Sequence, residues 1–325
     1  MQDEPLQLVP IGNSDLRVSP IGFGCWPISG VSSLGVTTPA SEQTVRAALE
    51  SGINFFDSAY SYGYTGEADA VLARVLKSWS HPVVIANKVG MYYAPSHERI
   101  VDGRPQTLVR HAEELLRRLG IEQLDLLYLH QPDPQVPLAE SAGAVAELVR
   151  RGTARYAGVC NVTLEQLQVF HRECPVIMAQ MPFNMLQPES LRPLESYLQL
   201  EGIAVAAYWV LMKGLLAGKM TREHVFDPAD RRLTYPIYQG TAWQRAHDLI
   251  DELREIAGQL GCTVAQLVIA WTLAQPAVDV ALCGAKRPEQ IRETAQAMKL
   301  KLEATVLERL ERLVARCRSN TSAQD

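Results

Sequence analysis

The segment Val-Val-Ile-Ala-Asn-Lys at residues 83–88 is a short apolar run that ends in a lysine, and repeated runs of this kind decide the fold. Eight such runs, rich in Val, Ile, Leu and Phe, alternate with longer stretches of helical period from residue 21 onward. They occupy residues 21–25, 53–56, 83–87, 124–129, 156–159, 177–180, 203–207 and 280–283. This alternation indicates βα units around a buried parallel sheet. Eight units in this order predict a (β/α)8 TIM barrel, an α/β fold.

Helix and turn signals lie between the apolar runs. Apolar residues recur every three or four positions in six stretches, and this spacing predicts helices. The stretches are residues 41–50, 67–77, 106–119, 138–150, 164–172 and 242–259. Thr163, with Gln166 three residues later, is typical of a helix N-cap. Four glycines that stop a helix just before a strand are Gly52, Gly120, Gly152 and Gly202.

The segments that flank the barrel also have readable patterns. Residues 7–19 contain two short apolar segments around a Gly-Asn-Ser-Asp turn, which predicts an N-terminal β-hairpin that plugs the bottom of the barrel. The barrel would then span residues 21–300 and a helical tail residues 301–325, so that residues 1–325 form one domain. Residues 211–240 depart from the pattern and predict a long loop after the seventh strand, of the kind that often serves as a lid.

The composition indicates a soluble globular protein with a small-molecule partner. The 325 residues suggest two domains at about 150 residues each, although an α/β barrel accommodates this length as one. Hydrophobic residues make up 47% of the chain, which is enough for a large core. The 31 basic and 36 acidic residues give a net charge of −5, which supports neither a nucleic-acid partner nor an anionic membrane surface.

Cysteine, histidine and terminal patterns bear on metals and on the compartment. The six cysteines form no C-x-x-C pair and the seven histidines no H-x-H or H-E-x-x-H motif, so we expect neither a metal site nor disulfides. Asp3 and Glu4 stand where a signal peptide would be basic, and the longest apolar run, residues 203–212, is too short to span a bilayer. These features predict a cytoplasmic protein with reduced thiols.

Ionisable side chains end three consecutive apolar runs, at Asp57, Lys88 and His130. Barrel chemistry lies at the carboxyl ends of the strands, and Tyr62, five residues after Asp57, can fold back over the same rim. Taken singly, an Asp after a strand is commonly a cap and a lone His a core residue. Lys88 is more informative because lysines are rarely buried without a partner, and Asp57 is the obvious candidate.

Together these four side chains form a proton donor suited to carbonyl reduction. A phenol with a pKa near 10 is a poor acid, but a nearby ammonium lowers that pKa and a carboxylate keeps the ammonium charged. His130 could donate to a carbonyl oxygen or tune the same proton. The hydride must come from elsewhere, which points to a cofactor.

Four motifs in order resemble the aldo-keto reductase superfamily. They are Gly-Ile-Asn-Phe-Phe-Asp-Ser-Ala-Tyr-Ser-Tyr-Gly at 52–63, Ile-Ala-Asn-Lys-Val-Gly at 85–90, Leu-Asp-Leu-Leu-Tyr-Leu-His at 124–130 and Gly-Ala-Lys-Arg-Pro-Glu-Gln at 284–290. The resemblance implies a barrel that binds NADPH across its rim without a Rossmann domain. It places Tyr62 as the acid, Lys88 and Asp57 as its tuning pair, and His130 as the group that orients the carbonyl.

The same resemblance implies the cofactor contacts. Asn161 and Gln180 would hold the nicotinamide amide, and Tyr208 would stack on the nicotinamide ring. A helix opened by Gly284 and Ala285 would bind phosphate at its N-terminus. Residues that could meet a 2′-phosphate are Lys286, Arg287, Gln290 and Arg292, and Glu293 would contact adenine. The alternative for these charges is a solvated helix face. The chain departs from the family pattern at Cys160, Trp209, Val210, Cys283 and Thr294.

The sequence therefore predicts an NADPH-dependent oxidoreductase, with NADH as a possible cofactor. It would reduce small aldehydes, ketones or sugars, or run the reverse oxidation. The alternative is a nicotinamide-binding regulatory subunit with weak or no turnover. A metal-dependent barrel hydrolase or isomerase lacks the necessary ligand spacing. The loops that set the substrate have no readable pattern, and the oligomeric state stays open.

Overall fold

The computed structural model describes residues 7–31 and 33–322, with side chains up to Cys317. Its strands are β1 (Val9–Pro10), β2 (Arg17–Val18), β3 (Ile21–Gly24), β4 (Phe55–Asp57), β5 (Val84–Val89), β6 (Met91–Tyr93), β7 (Arg99–Val101), β8 (Leu124–Leu129), β9 (Ala154–Cys160), β10 (Val176–Pro182), β11 (Ala204–Tyr208) and β12 (Val280–Cys283). Eight of them, β3, β4, β5, β8, β9, β10, β11 and β12, close into a parallel barrel. The predicted (β/α)8 barrel is confirmed, because each barrel strand falls on one predicted apolar run.

Helices cover the outside of the barrel. They are α1 (Thr38–Glu50), α2 (Glu67–Leu76), α3 (Pro105–Leu119), α4 (Leu138–Arg150), α5 (Leu164–Glu173), α6 (Glu195–Glu201), α7 (Gly240–Leu260), α8 (Val264–Leu273), α9 (Pro288–Ala295) and α10 (Ala304–Ser322). The six predicted helices are all present. Thr163 forms the predicted capping box with Gln166 at the start of α5. The four stop glycines all have positive φ, which glycine adopts without steric cost.

The N-terminal hairpin of β1 and β2 is confirmed and closes one end of the barrel. Its side chains Ile11, Leu16 and Val18 are buried in one apolar cluster with side chains from the barrel strands, among them Phe55 and Tyr128. These buried apolar side chains therefore fill the end of the barrel opposite the carboxyl ends of the strands.

Several elements differ from the predictions. The hairpin of β6 and β7 directly follows β5 and was not predicted. The helix expected to open at Gly284 and Ala285 begins at Pro288 instead, since the extended backbone of Arg287 forms its N-cap and proline suits the first turn. The long loop after β11 is present and contains three short 3-10 helices at Met212–Ala217, Arg231–Thr234 and Pro236–Tyr238. The tail forms α10, and its last residues, 323–325, lie outside the described residues.

Across the described residues, no single helix is both long and apolar enough to cross a membrane. In the described part of the chain, α7 and α8 together reach the required length and composition, but the two helices are bent by 91° where they meet.

Candidate active site

Asp57, Lys88 and Tyr62 form a hydrogen-bonded chain at the carboxyl ends of β4 and β5. Lys88 Nζ lies 2.5 Å from Asp57 Oδ1 and 3.2 Å from the Tyr62 hydroxyl. It also donates to the carbonyl oxygen of Ser58 at 2.9 Å. The side chains of Lys88 and Asp57 are only 1% and 2% exposed, so the ion pair is shielded from solvent. The structure thus brings together the partners that the sequence predicted for Lys88.

His130 follows β8 and completes the predicted group. Its backbone N–H donates to the carbonyl of Val89 at 2.9 Å, which fixes it beside β5. Its ring lies edge-on to the ring of Tyr62, with the centroids 6.0 Å apart. His130 Nδ1 is buried and has no hydrogen-bond partner among the described residues. A buried polar atom without a partner is costly, so this nitrogen is suited to meet a bound molecule.

Burial and charge set the ionisation of these groups. Burial lowers the pKa of Lys88, but the charge and hydrogen bond of Asp57, together with Tyr62 and Cys160, outweigh burial and raise the pKa above its ordinary value. Burial lowers the pKa of His130 well below its usual range, with the Lys88 charge acting in the same direction, so the imidazole is neutral at pH 7.

The phenol of Tyr62 behaves differently from the sequence expectation. Tyr62 is partly exposed as a residue, and its hydroxyl oxygen lies 3.2 Å from Lys88 Nζ. Burial raises the pKa of Tyr62 above its ordinary value, and Lys88 only partly opposes that rise. The expected lowering of the pKa is therefore wrong, because loss of solvation outweighs the nearby ammonium.

Asn161, Gln180 and Tyr208 stand on the neighbouring side of the rim. The Tyr208 hydroxyl donates to Asn161 Oδ1 at 2.7 Å, and Asn161 Nδ2 donates to the carbonyl of His130 at 3.0 Å. Gln180 Nε2 donates to Asp57 Oδ2 at 2.7 Å. These contacts join the predicted cofactor residues to the predicted catalytic group. The link from Gln180 to Asp57 has no signal in the sequence, since 123 residues separate the two.

The residues around the N-terminus of α9 form a basic cluster. Gln290 Oε1 accepts the backbone N–H groups of Lys286 and Arg287, at 2.9 and 3.2 Å. Burial lowers the pKa of the half-buried Lys286, and the charge of Arg232 adds to that effect. Arg232 comes from the long loop after β11, where it pairs with Asp230 at 2.6 Å, and in the sequence it resembles an ordinary solvated charge. Arg292 points elsewhere and pairs with Glu50 of α1 at 3.4 Å.

Glu293 and the loop after β11 meet across the rim. Glu293 Oε2 forms an ion pair with Lys219, while its Oε1 is buried and has no hydrogen-bond partner in the described part of the chain. The hydroxyl of the next residue, Thr294, donates to the backbone carbonyl of Gln290 at 3.1 Å. Two buried atoms without a hydrogen-bond partner among the described residues therefore lie in the predicted site: His130 Nδ1 in the catalytic group and Glu293 Oε1 at the predicted adenine end. This arrangement fits an extended dinucleotide that bears polar groups at both ends.

The turn after β11 holds a further cation that sequence reasoning missed. Lys213 Nζ lies 4.4 Å from the ring centroid of Trp209 and 4.5 Å from that of Tyr235. Trp209, Lys213 and Gly214 all have left-handed backbones, with φ of 57°, 50° and 95°. Turns of this kind can direct backbone N–H groups toward an anion.

Residues 7–31 and 33–322 contain no group of three or more His, Cys, Asp or Glu side chains placed to hold a metal.

Comparison with known proteins gives consistent matches along the chain. The protein-family model described as "Aldo/keto reductase family" matches residues 20–315. The aldo-keto reductase YhdN of Bacillus subtilis (strain 168) is 31% identical over 88% of this chain and 87% of its own length. An NADH-specific methylglyoxal reductase of Escherichia coli (strain K12) is 25% identical over 96% of this chain and 100% of its own. The structure of a glycerol dehydrogenase from Gluconobacter oxydans is 29% identical, covers 96% of both chains and superposes with a TM-score of 0.89.

Proposed function

The chain belongs to the aldo/keto reductase family, so it is a nicotinamide-dependent oxidoreductase of carbonyl compounds, and we propose that it uses NADPH and Tyr62 to reduce small aldehydes, ketones or sugars. The observation that carries the proposal is the buried chain from Asp57 through Lys88 to the Tyr62 hydroxyl. In such a chain the Tyr62 hydroxyl can hold a proton at the rim. The ammonium of Lys88 can then stabilise the negative charge that remains on the phenolate oxygen after the proton leaves.

Each residue of the chain has a separate part in the reaction. The Tyr62 hydroxyl gives its proton to the carbonyl oxygen, and the alkoxide that develops there is a stronger base than the phenolate, even though burial raises the pKa of Tyr62. Lys88 donates to the phenolate oxygen that remains. Asp57 keeps Lys88 protonated in a site where burial would otherwise favour the neutral amine.

His130 acts as a neutral hydrogen-bond donor in this proposal. A neutral imidazole carries one N–H, which can point to the carbonyl oxygen and orient it toward Tyr62. The nicotinamide, when bound, supplies the hydride that attacks the carbonyl carbon. Hydride and proton together convert the carbonyl to an alcohol.

The cofactor assignment rests on two groups of residues. Asn161, Gln180 and Tyr208 adjoin the catalytic group and would hold the nicotinamide end. At the other end, Gly284, Lys286, Gln290 and Glu293 would hold the phosphates and the adenine. The ammonium of Lys286 favours a ligand with an extra phosphate, which NADPH carries and NADH lacks. Because one relative is NADH-specific, both cofactors belong in the test.

The test is a panel of small aldehydes, ketones and sugars assayed with NADPH and with NADH. We expect turnover of at least one compound, with a higher kcat/KM for NADPH. Cofactor binding without turnover of any compound would instead support the regulatory subunit. Equal use of both cofactors would overturn the NADPH assignment alone.

A further inference from the structure

Asp69, in the first turn of α2, is a completely buried carboxylate behind the catalytic chain. Its Oδ1 accepts a hydrogen bond from the Ser58 hydroxyl at 2.6 Å and from Asn87 Nδ2 at 3.0 Å. Ser58 directly follows Asp57, and Asn87 directly precedes Lys88. Asp69 Oδ1 therefore bonds both to the residue after Asp57 and to the residue before Lys88.

Both neighbours bond to Lys88 in turn. The backbone carbonyl of Ser58 accepts from Lys88 Nζ at 2.9 Å, and Asn87 Oδ1 accepts the backbone N–H of Lys88 at 2.8 Å. The first turn of α2 also holds the tyrosine, because the Ala68 N–H donates to the carbonyl of Tyr62 at 3.1 Å. The start of α2 thus supports both sides of the bond between Lys88 and Tyr62.

The surroundings of Asp69 give it little charge compensation. Arg118 of α3 approaches Oδ2 only to 3.8 Å, and this oxygen has no hydrogen bond within the described residues. The other ionisable groups that face it are Lys88 of β5 and the Cys25 thiol after β3. Burial raises the pKa of Asp69 to about 6, although the bonds from Ser58 and Asn87 act in the opposite direction. A buried carboxylate that ionises near neutral pH has a cost that a purely apolar packing residue would avoid.

We propose that Asp69 is a positioning residue, whose carboxylate fixes Ser58 and Asn87 so that the ammonium of Lys88 stays on the Tyr62 hydroxyl. The inference rests on the proposed function, because it assigns Asp69 to the proton transfer from Tyr62. The hydrogen bonds of the Asp69 carboxylate go to Ser58 and Asn87, which bond to Lys88, so Asp69 acts through Lys88.

The test compares wild type with Asp69→Asn over pH 5 to 8. Asparagine keeps the shape and one acceptor oxygen but carries no charge. Above pH 7 we expect kcat to fall about tenfold, the size of one hydrogen bond to a charged group, while the Kd for NADPH changes less than about twofold. Wild-type kcat should fall as the pH drops through about 6, because Asp69 becomes protonated. The variant should lack this limb.

Glu114→Gln is the matched control. Glu114 shares Arg118 with Asp69 but bonds to Tyr60, and it touches neither Ser58 nor Asn87. This variant should keep the wild-type kcat and acid limb. Loss of the limb in both variants would overturn the proposal, since it would assign the effect to Arg118.

A readout without turnover separates this proposal from the proposed function. The 15N signal of Lys88 Nζ, assigned by its loss in Lys88→Met, should shift with an apparent pKa near 6 in wild type and stay constant in Asp69→Asn. If wild type reduces no carbonyl, the proposed function fails and this signal still decides the role of Asp69. A Lys88 signal that titrates alike in wild type and Asp69→Asn would overturn the positioning role.

Discussion

The two halves of the rim are held by different forces. On the side of β4, β5 and β8, buried side chains meet at hydrogen-bond distance on rigid strands, as Lys88 does with Asp57 at 2.5 Å. On the side of β12 and α9, the partners are more exposed charges from a long loop, such as Lys219, which is 63% exposed. Charge pairs near solvent are weak and screened by salt, whereas buried pairs are strongly directional. Chemistry should therefore depend steeply on the first half, and cofactor choice more gently on the second.

The largest effect should come from Tyr62→Phe. The change removes only the hydroxyl, so it deletes the proton donor and keeps the ring that lies beside Trp26. General acid catalysis contributes about a hundredfold to ten-thousandfold, so kcat should fall by that order. The Kd for NADPH, measured by fluorescence titration, should stay close to that of wild type. Equal losses in turnover and in cofactor binding would contradict the assignment of Tyr62 as the acid.

Lys88→Met should have the next largest effect. The variant loses the ammonium that stabilises the phenolate, and it leaves Asp57 with Gln180 as its remaining side-chain donor among the described residues. We expect kcat to drop more than about tenfold, a barrier increase above about 1.4 kcal/mol. Thermal unfolding must be recorded as well, because an unpaired buried charge is destabilising. A folded variant that retains more than a tenth of wild-type kcat would argue against this role.

Lys286→Ala probes the second half of the rim. One lost contact between a cation and a phosphate is worth about 1.5 to 3 kcal/mol, so NADPH should bind about tenfold or more weakly while NADH binding barely changes. Rising salt should reduce the preference of wild type for NADPH. Titration of both proteins with both cofactors checks this. If the substitution weakens both cofactors alike, Lys286 belongs to a solvated helix face and cofactor choice has another origin.

Lys219→Ala should have the smallest effect. Its ion pair with Glu293 links the loop to α9, but an exposed pair contributes only about 0.2 to 1 kcal/mol. The Kd for either cofactor should change by less than about fivefold, with kcat unaffected. Lys77→Ala, at the end of α2, is a surface control. A change in kcat as large as that of Lys88→Met would erase the distinction between the two halves.

The contrast also explains what the sequence can and cannot predict. The barrel and three of the strand-end side chains follow from periodicity, because parallel strands place Asp57, Lys88 and His130 at one rim. The reversed pKa of Tyr62 does not follow, because the degree of burial at one oxygen depends on the packed structure. Contacts such as Gln180 to Asp57 join distant strands and leave no local pattern.

The second half is harder to read for a physical reason. Lys213 and Arg232 resemble any solvated charge in the sequence, and only the path of the loop brings them to Trp209 and Lys286. The predicted start of α9 at Gly284 is four residues too early, because the extended Arg287 delays the helix to Pro288. Loop conformation depends on many weak contacts, whereas strand placement depends on burial of a whole apolar run.

The hairpin at the closed end of the barrel bears on how Tyr62 would regain its proton after each reaction. Ile11, Leu16 and Val18 fill that end, and the ring of Tyr128 lies so close to Gly158 that a Cβ there would come within 2.4 Å of it. These packed apolar side chains close the barrel at the hairpin end. In the proposed reaction each reduction removes a proton from Tyr62, and its replacement would come from bulk water at the open rim, where the alcohol leaves. Reprotonation of Tyr62 is thereby coupled to the release of product. Solvent isotope effects should therefore report on the opening of the rim as well as on the chemical step.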